Sequence, residues 1–255
     1  MLQTAIEAAR RAGSLIAERY PGERNVRSKG YRDVITEVDL AAEQIVIDLV
    51  RQRFPDHTIV SEEAGGHLSD SGYTWVIDPL DGTTNYSRRI PICSVSIGVL
   101  ASGEPLLGVV YDPLRDEMFV GERGNGASVN GRPIHASDRT QLGQSVIGFD
   151  WGHADEDRQQ VIAILNRVAP LCATVRGLGS AALALAYVAA GWLDAYVNLA
   201  LKPWDSAAAM VLIAQAGGQC TTIEGAPFQV STPDCLATNG RLHAQILAAI
   251  HSNGP

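Results

Sequence analysis

The sequence predicts an α+β N-terminal half followed by an α/β C-terminal half. Three observations support this fold class. Helical periodicity dominates the stretch before Pro55, alternating apolar residues with turn pairs occupy Ser94–Ile134, and strands then alternate with helices to the end of the chain. No linker or internal repeat separates the two patterns. We therefore place the boundary where the pattern of predicted elements changes, and predict domains of residues 1–140 and 141–255.

The N-terminal half combines helical and strand-like patterns. Ile6, Ala9 and Ile16 recur at helical spacing, and Pro21-Gly22 ends that run. Turn pairs such as Asp-Pro and Asn-Gly punctuate its last third, which is typical of an antiparallel meander. The predicted elements are helix Leu2–Tyr20, a helix from near Thr36 or Val38 to before Pro55, strands His57–Ser61 and Trp75–Ile77, and the meander Ser94–Ile134.

The C-terminal half alternates short apolar strands with longer amphipathic runs. Gly191 and the pair Gly217-Gly218 follow two of these runs, as glycine does at helix C-termini. The predicted elements are strand Ser145–Phe149, helix Glu156–Val168, strand Ala173–Arg176, helix Ser180–Ala190, strand Leu193–Val197, helix Asp205–Ala216, strand Cys235–Thr238 and a final helix.

Composition excludes several classes of function. The 255 residues carry a net charge of -8 without a Lys/Arg tract, which argues against nucleic-acid binding by a basic face. The four cysteines form no CxxC pair, which disfavours a zinc site and indicates a reducing compartment. No stretch has the length of a membrane span, and the N-terminus shows no secretory pattern. We therefore predict a cytoplasmic protein without a membrane partner.

Four carboxylates stand at the ends of apolar runs, at Glu62, Asp78, Asp81 and Asp205. Bare carboxylates repel one another strongly in a low dielectric, so a cluster of them needs a cation. Mg²⁺ prefers oxygen ligands, keeps some waters and commonly pairs with a substrate phosphate. A carboxylate set without His or Cys therefore predicts a Mg²⁺ site for phosphoryl chemistry.

Each acidic motif also has an ordinary structural interpretation. The segment from Asp78 to Thr84 can be two common turns. It can also be a single turn that offers metal ligands and is followed by the start of a helix, where the N–H groups of Gly82 and Thr83 would bind phosphate. Glu62 can be a solvated strand end. Asp205 can be a helix N-cap, which is compatible with metal binding. The segment Asp33–Asp39 can be a capping cluster, or its Thr36 and Asp39 can orient a hydroxyl or water.

The sequence contains no GxxxxGK[ST], HExxH or GxGxxG motif. Two stretches instead resemble the inositol monophosphatase family of Mg²⁺-dependent, lithium-sensitive phosphatases. They are WVIDPLDGTTNYSRRIP at positions 75–91 and KPWDSAAAMVLIAQAGG at positions 202–218. The resemblance covers almost the whole chain. It implies a layered α-β-α-β-α sandwich of the sugar phosphatase type, assembly into a homodimer, which is frequent in the family, and inhibition by lithium.

The resemblance also implies roles for individual residues. The implied metal ligands are Glu62, Asp78, the Leu80 carbonyl, Asp81 and Asp205. Thr83 and Asp39 would orient or activate the attacking water, and Glu62 is placed with them as a catalytic residue. The residues expected to contact substrate are Asp81, Gly82, Thr83, Ser180, Ala181 and Asn198.

One position departs from the inositol-type pattern. Relatives that prefer inositol usually carry Glu seven positions before the Asp of the WD motif, where this chain has Asn198. An amide there accepts from one hydroxyl but carries no charge, so we expect broad specificity for polyol and sugar phosphates. Serine at position 61, where many relatives have Gly, is a smaller departure.

The leading hypothesis is a Mg²⁺-dependent phosphate monoester hydrolase with inositol 1-phosphate as its main substrate. Histidinol phosphate, fructose 1,6-bisphosphate, another sugar phosphate or a nucleotide 3′-phosphate are alternative substrates. A hypothesis of a different class is a regulatory or RNA-associated protein on the same fold, because fold does not fix function.

Overall fold

The computed structural model describes residues 1–252, and it confirms the predicted fold class and the layered sandwich. Within that range the α-helices are α1 (Leu2–Arg19), α2 (Glu37–Arg53), α3 (Thr83–Ser87), α4 (Asp155–Val168), α5 (Ala181–Ala189), α6 (Pro203–Gln215) and α7 (His243–Ile250). No helix in this range is long and apolar enough to cross a membrane.

Three β-sheets account for the strands of the described residues. The first is the hairpin β1 (Val26–Gly30) and β2 (Asp33–Thr36). The large sheet contains β3 (Thr58–Ser61), β4 (Tyr73–Asp81), β5 (Ser94–Ala101), β6 (Glu104–Asp112), β7 (Glu117–Glu122), β8 (Gly126–Val129) and β9 (Arg132–Pro133). The small sheet contains β10 (Val146–Phe149), β11 (Thr174–Arg176), β12 (Ala195–Asn198), β13 (Gln219–Thr221) and β14 (Cys235–Thr238).

The large sheet follows chain order from β3 to β9, with β3 parallel to β4 and the later neighbours antiparallel. This confirms the predicted meander. The small sheet has the order β11-β10-β12-β14-β13, and β10 is parallel to both β11 and β12. β14 runs antiparallel to its neighbours β12 and β13. The C-terminal sheet is therefore mixed rather than fully parallel.

The three largest apolar clusters of the described residues separate the layers. The first joins α1 and α2 to one face of the large sheet around Trp75 and Ile97. The second places α5 and α6 between the two sheets, with Phe119 on one side and Tyr196 on the other. The third covers the outer face of the small sheet with α4 and α7. Because α5 and α6 form the middle layer, residues at their N-termini can reach the large sheet.

A row of glycines lets α6 lie directly on the large sheet. Gly98, Gly108 and Gly121 are register partners on β5, β6 and β7. A Cβ at Gly98 would lie 2.7 Å from the Ala207 Cβ, and one at Gly108 would lie 2.6 Å from the Ala208 carbonyl carbon. Real Cβ atoms do not approach so closely, so only glycine at these positions permits this contact.

Several element boundaries differ from the sequence predictions. The β1-β2 hairpin was not predicted, because β1 is exposed and mostly polar and gives no apolar alternation. β4 extends to Asp81 instead of ending near Ile77, with a register irregularity between Asp78 and Asp81 where a turn was expected. α6 begins at Pro203 after the N-cap Lys202, so Asp205 lies within the first turn and is not itself the N-cap.

Candidate active site

The parallel pairing of β3 and β4 brings the first two predicted ligands together. Ser61 is the register partner of Ile77, so the next residues, Glu62 just after β3 and Asp78 within β4, lie side by side. The Glu62 N–H donates to the Ile77 carbonyl at 3.1 Å, which fixes this register. Asp78 is 2% exposed and accepts the Leu80 N–H at 3.1 Å. A local backbone bend thus holds the second carboxylate.

Gly82 turns the chain from β4 into α3. Its φ of 90° lies in the left-handed region that favours glycine. A Cβ at Gly82 would lie 3.0 Å from the Ile92 carbonyl oxygen and 3.1 Å from the Gly179 carbonyl oxygen. The turn is therefore packed against two other backbone segments. It points the first N–H groups of α3 away from the strand, and these groups have no acceptor within the helix.

Asp81 accepts hydrogen bonds from the start of α5. Its Oδ1 accepts the Ala181 N–H at 3.0 Å, and its Oδ2 accepts the Ala182 N–H at 3.0 Å and the Ser180 hydroxyl. The Ser94 hydroxyl donates to Oδ2 at 3.1 Å. Helix N-termini favour negative charge, so this carboxylate is stabilised by an element far away in sequence.

Asp205 enters the site from α6. The Lys202 N–H donates to its Oδ2 at 2.6 Å, which holds the carboxylate at the helix start. The glycine row of β5, β6 and β7 sets the position of this helix on the sheet. The position of Asp205 therefore depends on the packing of α6 as well as on its own motif.

Three of the predicted ligands converge. Asp78, Asp81 and Asp205 each offer an oxygen within 4.8 Å of the others. Burial raises the pKa of all three, and the negative charges of neighbouring carboxylates raise those of Asp78 and Asp205 further. Glu62 lies outside this group of three, yet its charge acts on Asp78 and Asp205. Burial also raises the pKa of Glu62 to about 7.

Lys29 of the β1-β2 hairpin reaches the same region. Its Nζ lies 3.1 Å from Glu62 Oε1 and 2.7 Å from Glu63 Oε1. Burial alone lowers the pKa of Lys29, but the two ion pairs outweigh it and raise the pKa above its ordinary value. The hairpin thus places a cation over Glu62, an interaction that sequence reasoning missed.

The Thr83 hydroxyl lies between Asp39 and the Leu80 carbonyl. Thr83 Oγ1 is 2.8 Å from Asp39 Oδ1 and 3.0 Å from the Leu80 oxygen. Asp39 is buried, and its Oδ2 accepts the Thr36 N–H at 2.9 Å in a capping box at the start of α2. The capping interpretation of this segment is therefore right, and the same carboxylate also contacts Thr83.

The predicted substrate contacts fall in two places. Ser180 and Ala181 donate to Asp81, which gives them a structural role beside the carboxylate cluster. Asn198 is buried, with 6% of its surface exposed. Its Nδ2 donates to the Tyr196 hydroxyl at 2.8 Å, and its Oδ1 accepts the Ala200 N–H at 2.9 Å. Direct substrate contact by these residues stays a prediction.

Two supporting residues escaped the sequence analysis. Glu43 accepts the Ser61 hydroxyl and the Glu63 and Ala64 N–H groups, so it shapes the turn that carries Glu62. It lies one helical turn after Asp39, and this i,i+4 spacing was an available signal. The Asn85 Nδ2 donates to the Ile92, Leu178 and Gly179 carbonyls, which ties the α3 turn to the loop before α5. Only the tertiary structure reveals that contact.

Comparison with known proteins agrees with this geometry. The profile of the inositol monophosphatase family matches residues 1–254. "Nus factor SuhB" of Salmonella typhimurium is 42% identical over 253 residues, covering 97% of this chain and 94% of that protein. "Inositol-1-monophosphatase" of Synechocystis sp. is 37% identical over 257 residues, covering 98% of this chain and 88% of that protein.

Solved structures show the same architecture. The structure of extragenic suppressor protein suhB from Bartonella henselae superposes with a TM-score of 0.94 at 32% identity, covering 98% of both chains. Inositol monophosphatase from Anabaena (Nostoc) sp. gives a TM-score of 0.87 at 38% identity, covering 98% of this chain and 94% of that one. The chain therefore belongs to the inositol monophosphatase family.

Proposed function

We propose that this protein is a Mg²⁺-dependent phosphate monoester hydrolase. The observation that carries the proposal is the convergence of Asp78, Asp81 and Asp205, whose oxygens lie within 4.8 Å of one another although β4 supplies the first two and α6 the third. Such a grouping of two buried carboxylates and one half-buried carboxylate is costly without a cation. An all-oxygen donor set fits a hard divalent ion.

The ligand set we propose is Glu62, Asp78, the Leu80 carbonyl, Asp81 and Asp205. Mg²⁺ held there would polarise the phosphoryl oxygens, lower the pKa of a bound water and stabilise the leaving alkoxide. The protein contributes the geometry. β3 and β4 supply two ligands side by side, while α5 and the glycine row fix Asp81 and the helix that carries Asp205.

Thr83 and Asp39 are proposed to orient the attacking water. The Asp39 carboxylate accepts the Thr83 hydroxyl proton, which leaves the oxygen lone pairs of Thr83 free to accept from a water. Glu62 lies beside Asp78, where its carboxylate is placed to accept a hydrogen bond from the same water. The N–H groups of Gly82 and Thr83 are proposed to bind the phosphate.

Inositol 1-phosphate is the proposed main substrate, with other sugar and polyol phosphates hydrolysed as well. Family membership supports the substrate class. Histidinol phosphate, fructose 1,6-bisphosphate and nucleotide 3′-phosphates are the alternatives. A homodimer in the cytoplasm is part of the same proposal and rests on the family resemblance and the cysteine pattern.

A phosphate-release screen over these monoesters, with and without Mg²⁺, tests the proposal. We expect release that depends on the metal and is highest for polyol phosphates. If no monoester in the panel releases phosphate from a folded, Mg²⁺-loaded sample, the hydrolase proposal is wrong.

A second candidate function has its own observation in favour. Relatives as similar as 42% identical bear the name "Nus factor SuhB", which is the name of a factor rather than of an enzyme. This supports a regulatory, RNA-associated role on the same fold. The net charge of -8 argues against a broad RNA-binding face. Filter binding to RNA beside the phosphate-release assay separates the two functions, because Asp81→Asn should abolish hydrolysis and leave RNA retention unchanged if both exist.

A further inference from the structure

Asp150 is a buried carboxylate that the proposed chemistry does not use. It directly follows β10 and is 8% exposed. Its Oδ1 accepts the Gly179 N–H at 2.8 Å, and its Oδ2 accepts the Tyr196 hydroxyl at 3.0 Å. None of the ion pairs among residues 1–252 involves it. A buried charge without a cationic partner is costly, so its presence calls for an explanation.

The position of Asp150 in the small sheet is informative. From β10 the chain crosses by α4 to β11 on one side, then by α5 to β12 on the other side, and α4 and α5 cover opposite faces of the sheet. The crevice between β10 and β12 is thus a topological switch point. Ligands of α/β sheets bind outside the carboxyl ends of the strands at such a point.

Asp150 lies at that carboxyl end, beside Asn198. Phe149 is the parallel register partner of Val197, so the next residue of each strand faces the crevice entrance. The Tyr196 hydroxyl joins them, because it donates to Asp150 and accepts from the Asn198 amide at 2.8 Å. Asp150 therefore brings a negative charge to a position one strand away from the uncharged Asn198.

The same carboxylate is joined to the metal-site carboxylates through one short loop. Gly179 donates to Asp150, while the following residues Ser180 and Ala181 donate to Asp81. Burial raises the pKa of Asp150 to about 6, and the negative charge of Asp81 adds to that rise, so the two groups are within electrostatic reach. The loop Gly179–Ala181 therefore holds Asp150 close to the carboxylate cluster.

The hydrogen-bond acceptor positions of Asp150 that remain free define what this carboxylate can bind. A carboxylate has about four acceptor positions. The Gly179 N–H and the Tyr196 hydroxyl occupy two of them. An anionic phosphate would be repelled there, whereas a neutral hydroxyl donor would fill a further acceptor position. The chemistry thus fits the alcohol part of a phosphate monoester rather than its phosphate.

We propose that Asp150 is a specificity-determining residue that accepts a hydrogen bond from a hydroxyl of the leaving alcohol, and so selects polyol and sugar phosphates over monoesters without further hydroxyls. This rests on the proposed hydrolase function. It assigns the selection to Asp150, a carboxylate with acceptor positions left over, rather than to Asn198, which is uncharged and whose Nδ2 and Oδ1 both bond within the protein.

The test compares Asp150→Asn with wild type on inositol 1-phosphate and on 4-nitrophenyl phosphate. The amide preserves shape, and its oxygen can keep accepting from the Gly179 N–H while its NH2 group faces the Tyr196 hydroxyl, so the charge-assisted bond to substrate is lost. We expect kcat/KM for inositol 1-phosphate to fall about 10-fold more than kcat/KM for the aryl ester. Asp112→Asn is the matched control, because Asp112 is also buried but caps a turn at Leu114 and Arg115. Asp112→Asn should leave the ratio of kcat/KM for inositol 1-phosphate to kcat/KM for the aryl ester unchanged.

An equal fall in kcat/KM for both substrates would show that Asp150 only holds the loop, and no fall for either would show that it has no role in the reaction. Either result would overturn the proposal. A thermal-shift titration with free inositol keeps this result separate from the hydrolase proposal. We expect inositol to stabilise wild type and Asp112→Asn more than Asp150→Asn, whether or not phosphate is released. Identical inositol shifts for wild type and a folded Asp150→Asn would overturn the assignment even if hydrolysis is confirmed.

Discussion

Asp81 Oδ1 accepts the backbone N–H of Ala181 at 3.0 Å, which joins the end of β4 to the start of α5. This contact links the two halves of the chain at the proposed metal site. The N-terminal half supplies Glu62, Asp78 and Asp81, while the C-terminal half supplies Asp205 and the helix start that holds Asp81 in place. The site thus lies where the large sheet meets the helices that separate it from the small sheet.

Asp81→Asn and Asp205→Asn should each lower turnover by about 100-fold or more, because each removes a charged ligand. Both variants should stay folded, since the amide keeps one acceptor for the N–H groups that now bond the carboxylate. Steady-state kinetics with Mg²⁺ in excess, beside circular dichroism, measures both effects. Near-normal turnover in either variant would show that the residue is peripheral.

Thr83→Ala should lower kcat by about 100-fold with little change in KM, because it removes the hydroxyl that Asp39 orients. Thr83→Ser keeps that hydroxyl and should recover most of the rate. If alanine and serine behave alike, the Thr83 hydroxyl does not position the water.

Gly108→Ala should disturb the site from a distance. The new methyl group would collide with the backbone at Ala208, so we expect α6 to shift, stability to fall by about 1–3 kcal/mol and Mg²⁺ affinity to weaken. Gly143→Ala is the control, since its nearest heavy atom is the Leu171 oxygen at 3.9 Å. Equal melting temperatures for the two variants would contradict the proposed role of the glycine row.

The stability of the metal-free protein should fall as pH rises. Burial raises the pKa of Glu62 from 4.5 to about 7, so the folded state binds more protons than the unfolded state between these values. The raised pKa values of Asp78, Asp81 and Asp205 act in the same direction. Saturating Mg²⁺ should therefore raise Tm more near neutral pH than at about pH 5. An equal or larger Mg²⁺ shift in acid would count against a carboxylate metal site.

The sequence, with its family resemblance, was sufficient to predict the layers, and it singled out the three carboxylates that converge. Apolar periodicity located the long helices, and the register of β3 and β4 brings Glu62 beside Asp78. The polar β1-β2 hairpin gave no such signal, and so the Lys29 contact to Glu62 was missed.

Asp150 could not be singled out from sequence for a similar reason. Its meaning comes from the order of β10 and β12 in the small sheet, which local patterns do not encode. Asn198 drew attention by its departure from a family pattern, yet its burial and its bond to Tyr196 are tertiary facts. Motifs thus located the proposed metal ligands, while the topology located the residue proposed to recognise the alcohol.

The central claim is that the carboxylate cluster works by holding Mg²⁺. Its most direct test is phosphate release from inositol 1-phosphate by protein treated with excess EDTA, before and after Mg²⁺ is added back beyond the chelator. We predict that EDTA abolishes release and that Mg²⁺ restores it in wild type but not in Asp81→Asn. Full activity of wild type in excess EDTA would contradict the account.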